Sequence, residues 1–201
     1  MNGTQPYPAV ASVPAAAPAA AAPAVAGTAP GSMDVAGLAL PVAIRLASPA
    51  DAPALRDFFA GLSKQSRYLR FFGAISTPNP ALLNLLAGGP SHVDAVAATA
   101  GGIIVGHAMA ADGTGPDGER RTDIGVVVAD AWQGHGIGVA LISALIDRAQ
   151  ARGVTLVVMD VLHDNYRALG MITGHWPAVQ VGQARDFSTV HLSLPVHAQR
   201  D

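Results

Sequence analysis

The chain contains no cysteine, which excludes disulfides, thiolate metal sites and a cysteine nucleophile. Charged residues make up only 13% and aromatics only 5%, and the net charge is −2. No basic face for nucleic acid follows from that balance. No apolar run is long enough to span a bilayer. No charged side chain occurs before Asp34, so the basic start of a secretory signal is missing. The seven histidines are scattered without the spacing of a metal pair, and no metal is expected. These absences describe a chain expected to be cytoplasmic, with neither nucleic acid nor membrane as partner.

What is abundant is alanine, glycine and proline. The first 30 residues hold 12 Ala and 6 Pro. Proline interrupts every apolar stretch there and forbids a helix across it. Residues 1–40 are therefore expected to be a disordered arm, residues 41–195 the folded domain and residues 196–201 a tail.

Within the domain, Val42–Leu46 alternates as a strand, and Ser48-Pro49-Ala50-Asp51 is a helix start. Leu55, Phe58, Phe59 and Leu62 form the apolar stripe of that helix. Shorter helices are expected over 66–72 and 80–86. Strands follow at 93–99 and 103–111 around a Gly101-Gly102 turn, and at 122–128 after a loop over 112–118. A helix over 139–152 closes at Gly153. A strand at 155–161, a short helix after Asp164 and an alternating strand at 187–194 complete the order.

Between Val128 and that long helix lies Gln133-Gly134-His135-Gly136-Ile137-Gly138. A strand that feeds a glycine-rich turn into a helix concentrates unpaired N–H groups and a partial positive charge, which suits phosphate. The stretch is not a P-loop, because no Lys-Ser/Thr follows. Nor does it complete a dinucleotide fingerprint, because residue 139 is Val.

The element order and the run Gln133, Gly136, Gly138 resemble the GNAT superfamily of N-acetyltransferases, whose signature is Q/R-x-x-G-x-G/A at a helix start. The resemblance covers about 42–194. It implies an α/β fold: a central mixed, mostly antiparallel sheet of six to seven strands, about four flanking helices, and a splay between the fourth and fifth strands. It implies acetyl-CoA as co-substrate, with its pyrophosphate on Gln133, Gly134, His135, Gly136, Ile137, Gly138 and Val139. It places the pantetheine arm along Val126, Val127 and Val128, near Asn165.

The acceptor amine must be neutral to attack. A lysine amine has a reference pKa of about 10.4, so neutralising it at pH 7 costs about 4.6 kcal/mol. A carboxylate can take the proton. Asp123 stands where many relatives carry a Glu, ten residues before Gln133, and is the candidate general base. Asp130 is read as turn chemistry. The Tyr that many relatives use as acid is missing: Ile172 and Thr173 occupy its region, and Tyr166, His163 and His175 are weak substitutes.

Leu62-Ser63-Lys64-Gln65-Ser66-Arg67-Tyr68-Leu69-Arg70-Phe71-Phe72 is similar to a stretch of Pat-type bacterial protein lysine acetyltransferases. That similarity implies a protein lysine as acceptor. A small-molecule amine, or a CoA sensor without catalysis, stays open beside it.

Overall fold

The computed structural model of the protein describes residues 31–33, 41–75 and 77–195. An eight-stranded sheet runs β1 (Gly31–Met33), β2 (Val42–Leu46), β3 (Val93–Ala100), β4 (Ile103–Thr114), β5 (Arg120–Val128), β6 (Leu156–Leu162), β8 (Phe187–Ser193), β7 (Gln180–Gln183). Every neighbouring pair is antiparallel except β5 with β6. Five α-helices flank it: α1 (Ala52–Gly61), α2 (Lys64–Phe71), α3 (Pro80–Leu86), α4 (Ile137–Ala151) and α5 (Tyr166–His175).

The mixed, mostly antiparallel sheet that the resemblance implied is present, with two strands beyond the six read from the sequence and five helices where about four were implied. The extra strands are short. β1 pairs with β2 inside the segment read as an arm. β7 is an exposed four-residue edge held only by β8. The remainder of the expected arm and the tail at 196–201 lie outside the described residues. β4 runs three residues past its expected end, because Asp112, Gly113 and Thr114 pair with Thr122, Arg121 and Arg120.

One face of the sheet carries α4. Its Leu141, Ile142 and Leu145 are fully buried against Val96, Ala98, Val105 and Val157. The approach is close because β4 offers Gly106 there: a Cβ on it would lie 3.0 Å from Leu141 Cδ1 and 3.3 Å from Ala98 Cβ. The opposite face carries α1, α2 and α3. Leu55, Phe58 and Phe59 pack there on Leu83, Leu86, Ala97 and Val127. Each such buried side chain contributes about 1.5–3 kcal/mol of burial free energy, so the β5 region is held from both faces.

β5 and β6 begin side by side and then part. Only Arg121, Thr122 and Asp123 pair across, with Leu156, Val157 and Val158. Residues 124–128 continue without a partner on that side, although β4 stays bonded to them along the other edge. This is the splay between the fourth and fifth strands, counted from Val42, that the resemblance implied.

Candidate active site

The ladder geometry decides which groups the splay exposes. Ala129 N–H donates to Val105 C=O at 2.8 Å. In an antiparallel pair such bonds alternate, so Val126 and Val128 turn their backbone groups away from β4 and into the gap. Val128 C=O accepts from Gln133 Nε2 at 3.0 Å. The backbone of Val126 has no strand partner there. A buried backbone edge of this kind accepts an extended ligand as an added strand.

The chain then passes a short 3-10 turn, Asp130–Trp132, and enters the glycine loop. Gly134 and Gly136 sit at φ 79 and 78, in the left-handed region where a side chain is strained. Gly136 is the N-cap of α4. From Gly134 to Val139, no backbone N–H finds an acceptor among the described residues. Space above Gly134 and Gly136 is open, and a Cβ on Gly138 would meet only Met171 and Val128, at 3.8 and 3.9 Å. Six consecutive free donors at the start of a 15-residue helix form an anion cradle without a basic side chain.

Gln133 takes another role in the fold. Its amide nitrogen donates to Ser66 Oγ at 3.2 Å as well as to Val128 C=O. It therefore ties the loop to α2 and caps the end of β5. Asn165 is the N-cap of α5, and its Oδ1 accepts from Ala168 N–H. Tyr166 beside it is 72% exposed.

Asp123 stands at the vertex of the splay, the last residue paired to β6. Its carboxylate accepts from Arg121 Nη2 at 2.8 and 3.1 Å. Burial pushes the Asp123 carboxyl up from its ordinary value. Arg121 pulls it down and nearby Asp160 pushes it up again, with a net rise. Asp160 is itself held by Thr189, whose Oγ1 donates at 2.8 Å. A carboxylate partly shielded from water, with a raised pKa and a place at the vertex, has the properties of a general base.

The face of β5 that carries Asp123 and Gly125 belongs to α2. Phe72 ends that helix in the left-handed region at φ 55, and its ring meets Phe187 edge-on at 6.0 Å. Beyond it a cleft of about 240 Å³ is lined by Tyr68, Leu162, His163, Asp164, Arg185 and Asp186. His163 thus lies beside the splay, whereas His175 ends α5 against Trp176. Sequence reading missed Arg70, which lies flat on Gly125 between α2 and β5. A Cβ on Gly125 would fall 2.7 Å from Nη1 and 2.8 Å from Cζ. Only the bare glycine in mid-strand hinted that something approaches there.

Residues 64–173 match the model of the acetyltransferase (GNAT) family, and the chain belongs to that family. GNAT acetyltransferases use acetyl-CoA. Among curated relatives, an L-methionine sulfoximine/L-methionine sulfone acetyltransferase of Pseudomonas aeruginosa is 36% identical over 109 residues, 49% of this chain and 63% of that protein. The protein of the same description from Salmonella typhimurium is 34% identical over 110 residues, covering 50% and 64%. The match thus spans less than two thirds of the length of these relatives. Among solved structures, the GNAT domain of S. lividans PAT superposes with a TM-score of 0.71 at 19% identity, covering 82% of this chain and 97% of that one. Salmonella typhimurium yncA, solved with its cofactor acetyl-CoA, gives 0.62 at 20% identity, covering 80% and 98%. These structures share the fold. The sequence relatives named do not carry the protein-lysine description.

Proposed function

We propose that the protein is an acetyl-CoA-dependent N-acetyltransferase that acts on the primary amine of a small molecule. The observation that carries this reading is the continuity of three features along one strand and the loop that follows it. Asp123 is at the vertex, the unpartnered edge of Val126 and Val128 follows, and six free N–H groups from Gly134 to Val139 close the line. An extended ligand with a pyrophosphate at one end and amides along its arm fits that line, so acetyl-CoA fits the residues present. Gly134, His135, Gly136, Ile137, Gly138 and Val139 hold the pyrophosphate through backbone N–H groups. Gln133 fixes the loop, and Val126 and Val128 form the strand edge beside the pantetheine arm; Val127, expected there too, turns its backbone groups to β4 instead. Asn165, whose Oδ1 caps α5, is the residue beyond β6 that this reading sets beside the same arm. Bound acetyl-CoA supplies an activated acetyl group as a thioester.

The acceptor amine comes from the α2 face. Asp123 takes its proton, directly or through a water, as the C–N bond forms and the C–S bond breaks. A backbone N–H of the splay stabilises the oxygen on which charge develops. Thiolate is a fair leaving group, so the missing Tyr is no obstacle. The folded unit of this reading is residues 41–195 with β1 at its edge, and its setting is the cytoplasm.

The relatives' acceptors favour a small amine. Protein lysine is the second reading, supported by the likeness of Leu62–Phe72 to the Pat-type stretch. The test is a thiol-release assay with acetyl-CoA and a panel of amino acids, polyamines, aminoglycosides and lysine-bearing proteins. Turnover confined to small amines is the expected result. Turnover confined to proteins would select the second reading. Tight acetyl-CoA binding with no turnover on any acceptor would favour a sensor instead.

A further inference from the structure

Among the described residues, Arg70 is a cation without a counter-ion. Its Nε is shut off from solvent and has no hydrogen-bond partner, and no carboxylate among the described residues pairs with it. Its Cζ lies 5.2 Å from the centre of the Phe71 ring, a contact that holds the side chain in place. Burial lowers its pKa to about 10, which still leaves it charged at neutral pH. His107, the titratable group on β4 that feels this charge, is kept neutral. Burial first and Arg70 second push it down to about 3, while its Nε2 is bonded to Leu86 C=O at 2.7 Å. His107 therefore offers no compensating charge. Arg70 is half-buried, with Nε sealed off and Nη1 and Nη2 not, so a poorly solvated guanidinium keeps an open side at which an anion completes it.

The surroundings say which anion. Arg70 lies over Gly125, and Asp123 is two residues earlier on the same face of β5. Two strand residues span about 6.6 Å. Asp160 lies on β6, two residues past Val158, the partner of Asp123, and so faces the open splay from the β6 side, close enough to raise the Asp123 pKa. The groove is therefore acidic at the vertex and along β6, and cationic where α2 covers Gly125. An ammonium belongs at Asp123, and a carboxylate belongs at Arg70. The guanidinium fork suits a carboxylate, which it binds through two parallel N–H bonds.

We infer that the acceptor is a free amino acid, with its amine presented to Asp123 and its carboxylate anchored by Arg70. This rests on the reading of the site as an N-acetyltransferase and names its substrate class. A protein lysine carries no carboxylate beside its ε-amine and would leave Arg70 unpaired.

The experiment compares L-methionine sulfone with its carboxamide, using the full chain and saturating acetyl-CoA. Wild type should prefer the acid by at least 100-fold in kcat/KM, mainly through KM. Arg70→Met should abolish that preference and leave acetyl-CoA affinity, read by calorimetry, unchanged. Arg70→Lys should restore part of it. Gly125→Ala is a second route, because its Cβ displaces the guanidinium while keeping the charge, and it should weaken the same preference. Equal rates on acid and amide in wild type would overturn the proposal, and so would equal losses on both in Arg70→Met. Should neither compound turn over, competition binding in the presence of CoA decides the matter. Selective binding of the acid by wild type but not by Arg70→Met keeps the anchor and sinks the catalytic reading alone, and absent or equal binding of the two compounds sinks the anchor.

Discussion

Ser66 Oγ donates to Asp130 Oδ1 at 2.8 Å, across 64 residues of chain. The same carboxylate accepts from Ser63 Oγ at 2.7 Å and from Ser63 N–H at 3.0 Å. Ser63 is also the N-cap of α2, where its oxygen accepts from Ser66 N–H. One carboxylate thus fastens the helix on the acceptor side to the turn that leads into the glycine loop. Asp130→Ala removes all three acceptor contacts and leaves the hydroxyl of buried Ser66 short of a partner. We expect a stability loss of about 1–3 kcal/mol. Acetyl-CoA affinity and acceptor KM should worsen together, because the loop and α2 share the fastening. Asp130→Asn, which keeps one acceptor oxygen, should lose less. Denaturant melts with parallel binding assays check this. A variant that impairs only one of the two ligands would show that the sites are not joined here.

Glycines 136 and 138 separate backbone strain from ligand approach. Gly136 is left-handed, so Gly136→Ala should destabilise the fold by about 1–3 kcal/mol. Gly138 lies in the first turn of α4, and a methyl there meets only ordinary contacts. Gly138→Ala should leave stability unchanged or raise it by up to about 1 kcal/mol. Its bare Cα faces Val128 and Met171, where the cofactor arm would pass. Acetyl-CoA affinity should therefore fall at least tenfold, about 1.4 kcal/mol. A Gly138→Ala protein that binds normally would remove the close-approach role of this glycine.

Much of this arrangement is legible in the sequence. The alternation of Val42–Leu46, the Gly101-Gly102 turn and the run from Val126 to Gly138 are local signals, and the structure places each as expected. The acidic residue at the vertex follows from its spacing to the loop. Arg70 is not legible, because its burial depends on β5 offering Gly125 from 55 residues away. Helical spacing alone places it among solvated basic residues. The role of Asp130 is hidden for the same reason: turn chemistry and a long-range fastening look identical in sequence. β7, Gln180–Gln183, has no apolar alternation and exists only because β8 supplies a ladder. The end of β4 reads as a loop, but pairing with β5 and the Arg152 bonds to Asp112 at 2.8 and 3.1 Å hold it extended.

Acid should find a weak point where β2 leads into α1. Asp51 accepts from Arg45 at 2.6 and 2.8 Å, and Arg45 is the main reason its pKa falls to about 2. A carboxyl held below its unfolded value stabilises the fold above that value, about 3.9. The contribution fades as pH falls toward 2. Asp51→Asn should therefore be less stable than wild type near neutrality, and the difference should shrink through that window. Urea melts of both proteins across the range check it. A constant difference would mean that the amide fails for reasons of shape rather than charge.

The decisive test of the chemistry is the pair Asp123→Asn and Arg121→Ala. Asp123→Asn keeps the size of the side chain and removes the base. With one verified acceptor, kcat/KM at neutral pH should fall by about 10²–10⁴, the usual contribution of a positioned base. Acetyl-CoA binding should hardly change, because the cradle is backbone further along. Higher pH should recover part of the loss, since more of the acceptor is then already neutral. The sign of the wild-type profile follows from the environment of Asp123. Its raised pKa, due mainly to burial, puts the acid limb above the range of an ordinary carboxylate, and activity rises as pH passes through it. Arg121 is the group that pulls this pKa down, so Arg121→Ala should move the acid limb to still higher pH while leaving the plateau rate similar. Asp123→Asn should lose the limb altogether. An acid limb that stays in place in Arg121→Ala, or survives in Asp123→Asn, would assign it to another group. The base would then be sought in water or in His163, which lines the cleft beside the splay.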